Sequence, residues 1–160
     1  VKEGGLKEIP DDERLGMFDE FLRIEPAYID IEYKSEILDD VLCKIERSGT
    51  KSILSYHNFD ETPDFKSLEE LYYEMKNKNG DIIKIVTLCN SSTDNLNMFR
   101  LLHDKTDLTA FCMGKKGKIS RMLSLVYSPI SYGSISDEKT APGQLSVEEL
   151  TNIREVLRHE

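Results

Sequence analysis

The organisation of this chain is set by the segment Asp81-Ile82-Ile83-Lys84-Ile85-Val86-Thr87, a β-branched apolar run with one lysine in its middle. Such runs are typical of strands that are buried on both faces of a parallel sheet. Burial removes water from an ammonium and favours the neutral amine, so Lys84 is a candidate nucleophile for Schiff-base chemistry with a carbonyl compound. The structural alternative is a lysine that snorkels from the end of the strand or pairs with a carboxylate.

Strand and helix patterns alternate along the rest of the chain. Alternating and β-branched segments predict five strands, at 27–33, 52–57, 82–87, 108–113 and 129–132. Apolar residues at helical spacing predict helices at 11–25, 35–48, 65–79, 93–103 and 120–127, and a capping box from Ser146 to Glu149 opens a last helix. This alternation indicates an α/β fold with parallel strands and right-handed crossovers.

Two architectures of this class agree with the pattern. One is an open, doubly wound sheet of five strands, and the other is part of an eight-stranded (β/α)8 TIM barrel, whose complete form needs roughly 200 residues or more. No GxGxxG follows a strand, so the dinucleotide-binding form of the open sheet has no support. In both architectures the functional site lies at the carboxyl ends of the strands.

That rule selects the residues with which each predicted strand ends. They are Glu32-Tyr33, His57-Asn58, Thr87, Met113-Gly114 and Tyr132-Gly133. Asp30 and Glu32 share one face of the first strand, opposite two isoleucines, because side chains alternate along a strand. His57 lies on the same face as Ser55 and is either a proton shuttle for a neighbouring amine or an ordinary turn histidine.

Composition excludes several classes of function. The chain has 160 residues, 39% of them hydrophobic and 32% charged, which is sufficient for one core. A net charge of −9 argues against binding to nucleic acid or to an anionic membrane surface. No apolar run is long enough to span a membrane. The three cysteines lack CxxC spacing and the three histidines lack HExxH, so we expect reduced thiols, a cytoplasmic protein and no metal site.

Two loops carry further candidate residues. Residues 114–118 are rich in glycine and lysine and could form an anion cradle, although P-loop spacing is absent. Arg121 follows near a helix N-terminus, where the helix dipole disfavours a cation; it either binds an anion such as a carboxylate or is a solvated arginine. The turn Thr140-Ala141-Pro142-Gly143-Gln144 precedes the last helix and by itself is consistent with a plain loop.

Taken together, these motifs resemble those of the type I 3-dehydroquinate dehydratases of the shikimate pathway. Six motifs occur in the family order and cover the chain from end to end; they lie at 2–5, 28–32, 55–63, 81–85, 113–121 and 141–146. The resemblance implies a (β/α)8 barrel that needs neither metal nor cofactor. It also implies the small-molecule substrate 3-dehydroquinate, a cytoplasmic location and a homodimer, with no nucleic-acid or membrane partner.

The resemblance assigns a role to each matching residue. Lys84 corresponds to the lysine that forms the Schiff base, His57 to the proton donor and acceptor, and Glu3 to the glutamate that orients this histidine. Arg121 corresponds to the arginine that binds the substrate carboxylate. Thr140, Gln144 and Met113 correspond to further substrate contacts, and Thr140 stands where the family usually has serine, which conserves the hydroxyl.

The implied reaction is a syn elimination of water from 3-dehydroquinate to give 3-dehydroshikimate through a lysine Schiff base. Residues 1–160 match the C-terminal part of a single barrel domain, about strands 4–8, and strands 1–3 have no counterpart. We expect a fragment of a longer protein; a truncated natural relative or a deliberately shortened chain are the alternatives. Two other functions stay open: an inactive truncated barrel that serves as a binding or assembly module, and another Schiff-base lyase or aldolase.

Overall fold

The computed structural model describes residues 9–135 and 144–157 of the chain. Four parallel strands form one sheet in the order in which they occur in the sequence. The strands are β1 (Tyr28–Glu32), β2 (Lys51–Asn58), β3 (Ile82–Leu88) and β4 (Leu108–Met113). The helices are α1 (Asp11–Arg23), α2 (Leu38–Glu46), α3 (Phe65–Lys76), α4 (Ser92–Leu102), α5 (Lys118–Tyr127) and α6 (Val147–Leu157), and a 3-10 turn at Lys115–Gly117 precedes α5. The predicted alternation of parallel strands and helices is confirmed.

The two faces of the sheet have different environments. One face packs against the helices and includes Leu54, Ile83, Ile85 and Leu108, all fully buried in the main core. The opposite face is here called the inner face. Its residues alternate with the core residues along each strand and include Asp30, Glu32, Ser55, His57, Lys84, Val86, Thr109, Phe111 and Met113.

Strand register arranges the inner face in rows. Glu32 is paired with Ser55, Ser55 with Lys84, and Lys84 with Thr109, so one row crosses all four strands. β3 and β4 are buried along almost their whole length on both faces, as the apolar run around Lys84 predicts. The lysine therefore lies in the middle of the sheet, with strands on both sides.

The fifth predicted strand is wrong. Residues 129–132 have no regular secondary structure, and among the described residues β4 is the last strand of the sheet. Pro129 has no N–H for a strand ladder. The backbone carbonyl of Ile130 accepts a hydrogen bond from the Thr109 side chain at 3.2 Å. Just after this segment, Ser134 forms an isolated parallel bridge with Ser146, the residue that precedes α6.

The last helix begins as its sequence predicts. The Ser146 hydroxyl accepts a hydrogen bond from the backbone N–H of Glu149 at 3.0 Å, and the Glu149 carboxylate accepts one from the backbone N–H of Ser146 at 2.8 Å. This reciprocal pair is the capping box. In the described part of the chain, no helix combines the length and the apolar character needed to cross a membrane.

Replacing Leu54 by Ala tests the core beneath β2. Leu54 has no exposed surface, so the change removes buried methyl groups and leaves a cavity. We expect a loss of about 2–5 kcal/mol in the free energy of unfolding. The measurement is urea unfolding followed by circular dichroism. Leu96→Ala is the matched control, because Leu96 is 66% exposed and should change the free energy by about 0.5 kcal/mol or less. Equal losses in the two variants would contradict the core assignment.

Candidate active site

Lys84 is the centre of the polar group on the inner face. The residue is 9% exposed, and its Nζ lies 2.9 Å from Oδ2 of Asp30 and 4.5 Å from the centroid of the Tyr132 ring. A carboxylate and the face of an aromatic ring both stabilise positive charge. The structure thus shows the carboxylate pair that the sequence left open as an alternative, and the apolar neighbours Ile83 and Ile85 face the helices instead.

His57 is held by the carboxylate of Glu32. Oε1 of Glu32 accepts the backbone N–H of His57 at 3.0 Å, and Oε2 lies 2.8 Å from Nδ1 of the ring. A carboxylate can only accept, so the neutral imidazole carries its proton on Nδ1 and presents Nε2 as a proton acceptor. The two side chains are only 20% and 10% exposed. Glu32 therefore fixes both the backbone and the ring of His57 and leaves Nε2 as the ring atom that can accept a proton.

The two carboxylates of β1 are the residues whose roles sequence reasoning missed. Asp30 and Glu32 were correctly placed on one face, and Glu32 was selected as a strand-end residue, but neither received a partner. Asp30 binds Lys84, and its other oxygen accepts the hydroxyl of Ser55. The spacing of two residues between these acids could have indicated their roles. Side chains two residues apart lie on the same face of a strand, where they can reach side chains of the neighbouring strands.

Arg121 lies in the first turn of α5 and is almost fully buried, at 7% exposure. Its guanidinium carbon lies 4.3 Å from the centroid of the Phe111 ring on the inner face. Burial lowers the pKa of the Arg121 guanidinium. Within the described residues no carboxylate pairs with it, and its buried Nε has no hydrogen-bond partner. An anion bound beside Arg121 would supply the missing acceptor.

Gly114 precedes the 3-10 turn that leads into α5, the helix that carries Arg121. Gly114 has φ +86°, which favours glycine, and the chain turns there from the end of β4 into the 3-10 turn and α5. The sequence predicts an anion cradle at 114–118. In the structure, Nζ of Lys116 in this loop instead donates a hydrogen bond to the backbone carbonyl of Asn90 at 2.8 Å. Arg121 is therefore the better-placed cation for an anionic ligand.

The remaining predicted residues divide into two groups. Met113 is 5% exposed and packs with Val86 and Phe111 on the inner face. Gln144 is buried next to the bridge that precedes α6. Glu3 and Thr140 lie outside the described residues, so their roles stay predictions. In the described ranges, no three His, Cys, Asp or Glu side chains are grouped so that they could hold a metal ion.

Comparison with known proteins identifies the family. The model for type I 3-dehydroquinase matches residues 1–160. The 3-dehydroquinate dehydratase of Pyrococcus abyssi is 49% identical over 155 residues, which are 97% of this chain and 72% of the relative. That of Methanococcus maripaludis is 35% identical over 159 residues, with 97% of this chain and 72% of the relative covered. The chain belongs to the type I 3-dehydroquinase family.

Solved structures of type I 3-dehydroquinases share the fold. The 3-dehydroquinate dehydratase of Aquifex aeolicus is 31% identical, with a TM-score of 0.85, and the alignment covers 99% of this chain and 71% of that one. The type I enzyme of Clostridium difficile, solved with covalently modified comenic acid, is 26% identical, with a TM-score of 0.86 and coverages of 98% and 65%. The chain therefore spans about two thirds to seven tenths of the length of these relatives. The predicted fold class, part of a (β/α)8 barrel, is confirmed.

Replacing Glu32 by Gln tests how His57 is oriented. An amide can donate as well as accept, so it no longer enforces a proton on Nδ1. We expect nitrogen-15 NMR of the imidazole to show the Nδ1–H form in the parent protein and a measurable Nε2–H population in the variant. Glu70→Gln is the control, because Glu70 is an exposed glutamate on α3 and should leave the His57 spectrum unchanged. An unchanged tautomer in Glu32→Gln would contradict the assigned hydrogen bond.

Proposed function

We propose that this chain carries the active centre of a 3-dehydroquinate dehydratase, which removes water from 3-dehydroquinate to form 3-dehydroshikimate through a Schiff base on Lys84. The observation that carries the proposal is the position of Lys84. It lies almost fully buried on the inner face, with the oriented imidazole of His57 on the neighbouring strand. Family membership and the names of the relatives support the substrate.

Lys84 is the covalent centre in this mechanism. Its neutral amine attacks the ketone carbon of the substrate and forms a carbinolamine. Loss of the carbinolamine hydroxyl as water, with a proton from His57, leaves an iminium. The positive nitrogen then withdraws electrons from the adjacent carbon, which makes a proton on that carbon removable. The covalently modified ligand in the Clostridium difficile relative agrees with covalent chemistry in the family.

His57 moves the protons of the elimination. Nε2 takes the proton from the carbon beside the iminium and generates an enamine. The enamine expels the hydroxyl group, which leaves as water after it receives a proton from His57. Water then hydrolyses the iminium, and the product and the free lysine are released. Glu32 holds the ring throughout, because its carboxylate pairs with Nδ1 of both the neutral and the protonated imidazole.

Arg121 supplies the binding site for the substrate carboxylate. Its buried guanidinium lies beside Phe111 on the inner face, and a bidentate carboxylate would complete its hydrogen bonds. Met113 contributes an apolar wall of the same pocket. On the family resemblance, Gln144 and Thr140 contact the substrate and Glu3 adds to the orientation of His57.

The proposal extends to the cellular setting of the enzyme. The resemblance to the family places the enzyme in the shikimate pathway of aromatic amino acid biosynthesis. It also implies a homodimer. The three cysteines are unpaired thiols, of which Cys89 and Cys112 are buried, and free thiols are usual in the reducing cytoplasm.

Reduction of the reaction mixture with borohydride tests the covalent step. With 3-dehydroquinate present, we expect peptide mass spectrometry to find the reduced adduct on Lys84, because borohydride converts an iminium into a stable amine. Lys84→Met is the matched negative control, and Lys44, a surface lysine paired with Asp19, should stay unlabelled. An adduct that forms only with other ketones would indicate another Schiff-base enzyme. Folded protein without any adduct on Lys84 would refute the proposal.

Replacing Arg121 by Gln tests the carboxylate site. Loss of a charged hydrogen-bond partner should weaken substrate binding by about 10- to 100-fold, seen mainly as a higher KM. Arg100→Gln is a matched control, because Arg100 also stacks on a phenylalanine, Phe65, at 3.8 Å but lies on the exposed side of α4. Steady-state kinetics should show no change in that variant. A similar KM for both variants would remove Arg121 from the substrate site.

A further inference from the structure

Asp30 is a carboxylate that the mechanism above does not use, although it touches the reacting nitrogen. Its Oδ2 lies 2.9 Å from Nζ of Lys84. We propose that Asp30 is a catalytic residue that stabilises the iminium formed on Lys84, with the ring of Tyr132 completing the enclosure of the positive charge. This inference rests on the proposed function and adds to it the group that balances the charge of the covalent intermediate.

Asp30 is held in place by neighbouring side chains. One carboxylate oxygen accepts the hydroxyl of Ser55, and the other faces Lys84 and, at 3.4 Å, the hydroxyl of Tyr132. Burial and the charge of Asp30 raise the pKa of Tyr132, which keeps its hydroxyl protonated as a donor. Donors on both oxygens orient the carboxylate towards Nζ. A preorganised charge of this kind stabilises a developing cation without having to reorient during the reaction.

A carboxylate suits this position because the charge on Nζ of Lys84 changes during the reaction. The resting pair of ammonium and carboxylate is neutral overall. The ammonium passes one proton to Nε2 of His57 before attack, and His57 later returns this proton to the carbinolamine hydroxyl as it leaves as water. The carbinolamine nitrogen itself carries no charge. When the carbinolamine loses water, one positive charge returns to the nitrogen, and the iminium keeps one N–H. That N–H can donate to Oδ2 of Asp30, so the same ion pair re-forms while the adjacent carbon loses its proton.

The two partners of this pair differ in exposure. The side chain of Asp30 is 37% exposed. Lys84, by contrast, has an 11% exposed side chain and is surrounded on the inner face by Val86, Thr109 and the Tyr132 ring. An iminium at Nζ is largely out of contact with water, and Asp30 is the carboxylate within hydrogen-bond distance of it in the described structure.

The two carboxylates of β1 thereby have separate roles. Glu32 serves the proton-transferring imidazole, and Asp30 serves the nitrogen that withdraws electrons. The two acids are two residues apart on one strand, and their partners are on the next two strands. The iminium and the imidazole thus each have a fixed counter-charge of their own.

Asp30→Asn tests the inference, because asparagine keeps the shape and the hydrogen-bond acceptor but removes the charge. In the protein expressed with its complete natural coding sequence, we expect kcat to fall by about 100- to 1,000-fold, with KM changed by roughly threefold or less. At saturating 3-dehydroquinate, the fraction of Lys84 trapped by borohydride should fall as well. Asp39→Asn is the matched control, because Asp39 forms a comparable pair with Lys78 at 2.8 Å on the helical layer and should leave both readouts unchanged.

Two further measurements keep the test decisive. Ser55→Ala removes the donor that orients Asp30 and should lower kcat by about 3- to 10-fold without changing the charge, which provides a result even if Asp30→Asn does not fold. Asp30→Glu should restore part of the activity that Asp30→Asn loses. A kcat and a trapped fraction in folded Asp30→Asn equal to those of the parent would overturn the inference while leaving the Schiff base intact. Absence of any adduct in the parent protein would instead refute the proposed function itself.

Discussion

The functional arrangement depends on the register of four parallel strands. Glu32, Ser55, Lys84 and Thr109 form one row because each is paired with the next across the sheet. Side chains alternate between faces with a period of two, so a slip of one residue in β3 would turn Lys84 into the helical layer. Such a slip would also move Ile83 and Ile85 from the main core, where both are fully buried, onto the polar inner face. The apolar residues of β3 thus specify the register, and the register places the lysine.

The cationic and basic groups that the proposed mechanism uses each contact a defined protein neighbour. These neighbours are Asp30 for Lys84, Glu32 for His57 and the ring of Phe111 for Arg121. Arg121 differs from the other two, since its neighbour is aromatic and its buried Nε has no acceptor within the described structure. A desolvated cation without an acceptor is costly unless a ligand supplies one. This difference separates the group suited to binding an anion from the groups suited to covalent and proton-transfer chemistry.

Sequence reasoning succeeded where the signal was local or where several motifs recurred in order. The apolar run around Lys84 predicted β3, the strand-end rule selected Glu32, His57 and Met113, and the capping box located the start of α6. It was wrong for 129–132, where a proline and a side-chain hydrogen bond from Thr109 replace a strand ladder. Strand propensity in a short segment is weak, and the partners available in the fold decide whether a ladder forms.

The residues alone were sufficient for the fold class, the family and the chemical type of the candidate groups, since hydrophobic periodicity and motif order are properties of the chain as written. The environment of Lys84 was decided only by the tertiary structure. From the sequence its neighbours were isoleucines, whereas in the fold those isoleucines face the helices and the lysine faces Asp30 and Tyr132. Asp30 precedes Lys84 by 54 positions in the chain. The two residues come into contact because β1 and β3 both pair with β2, one on each side. No local sequence pattern predicts which side chains meet across that distance.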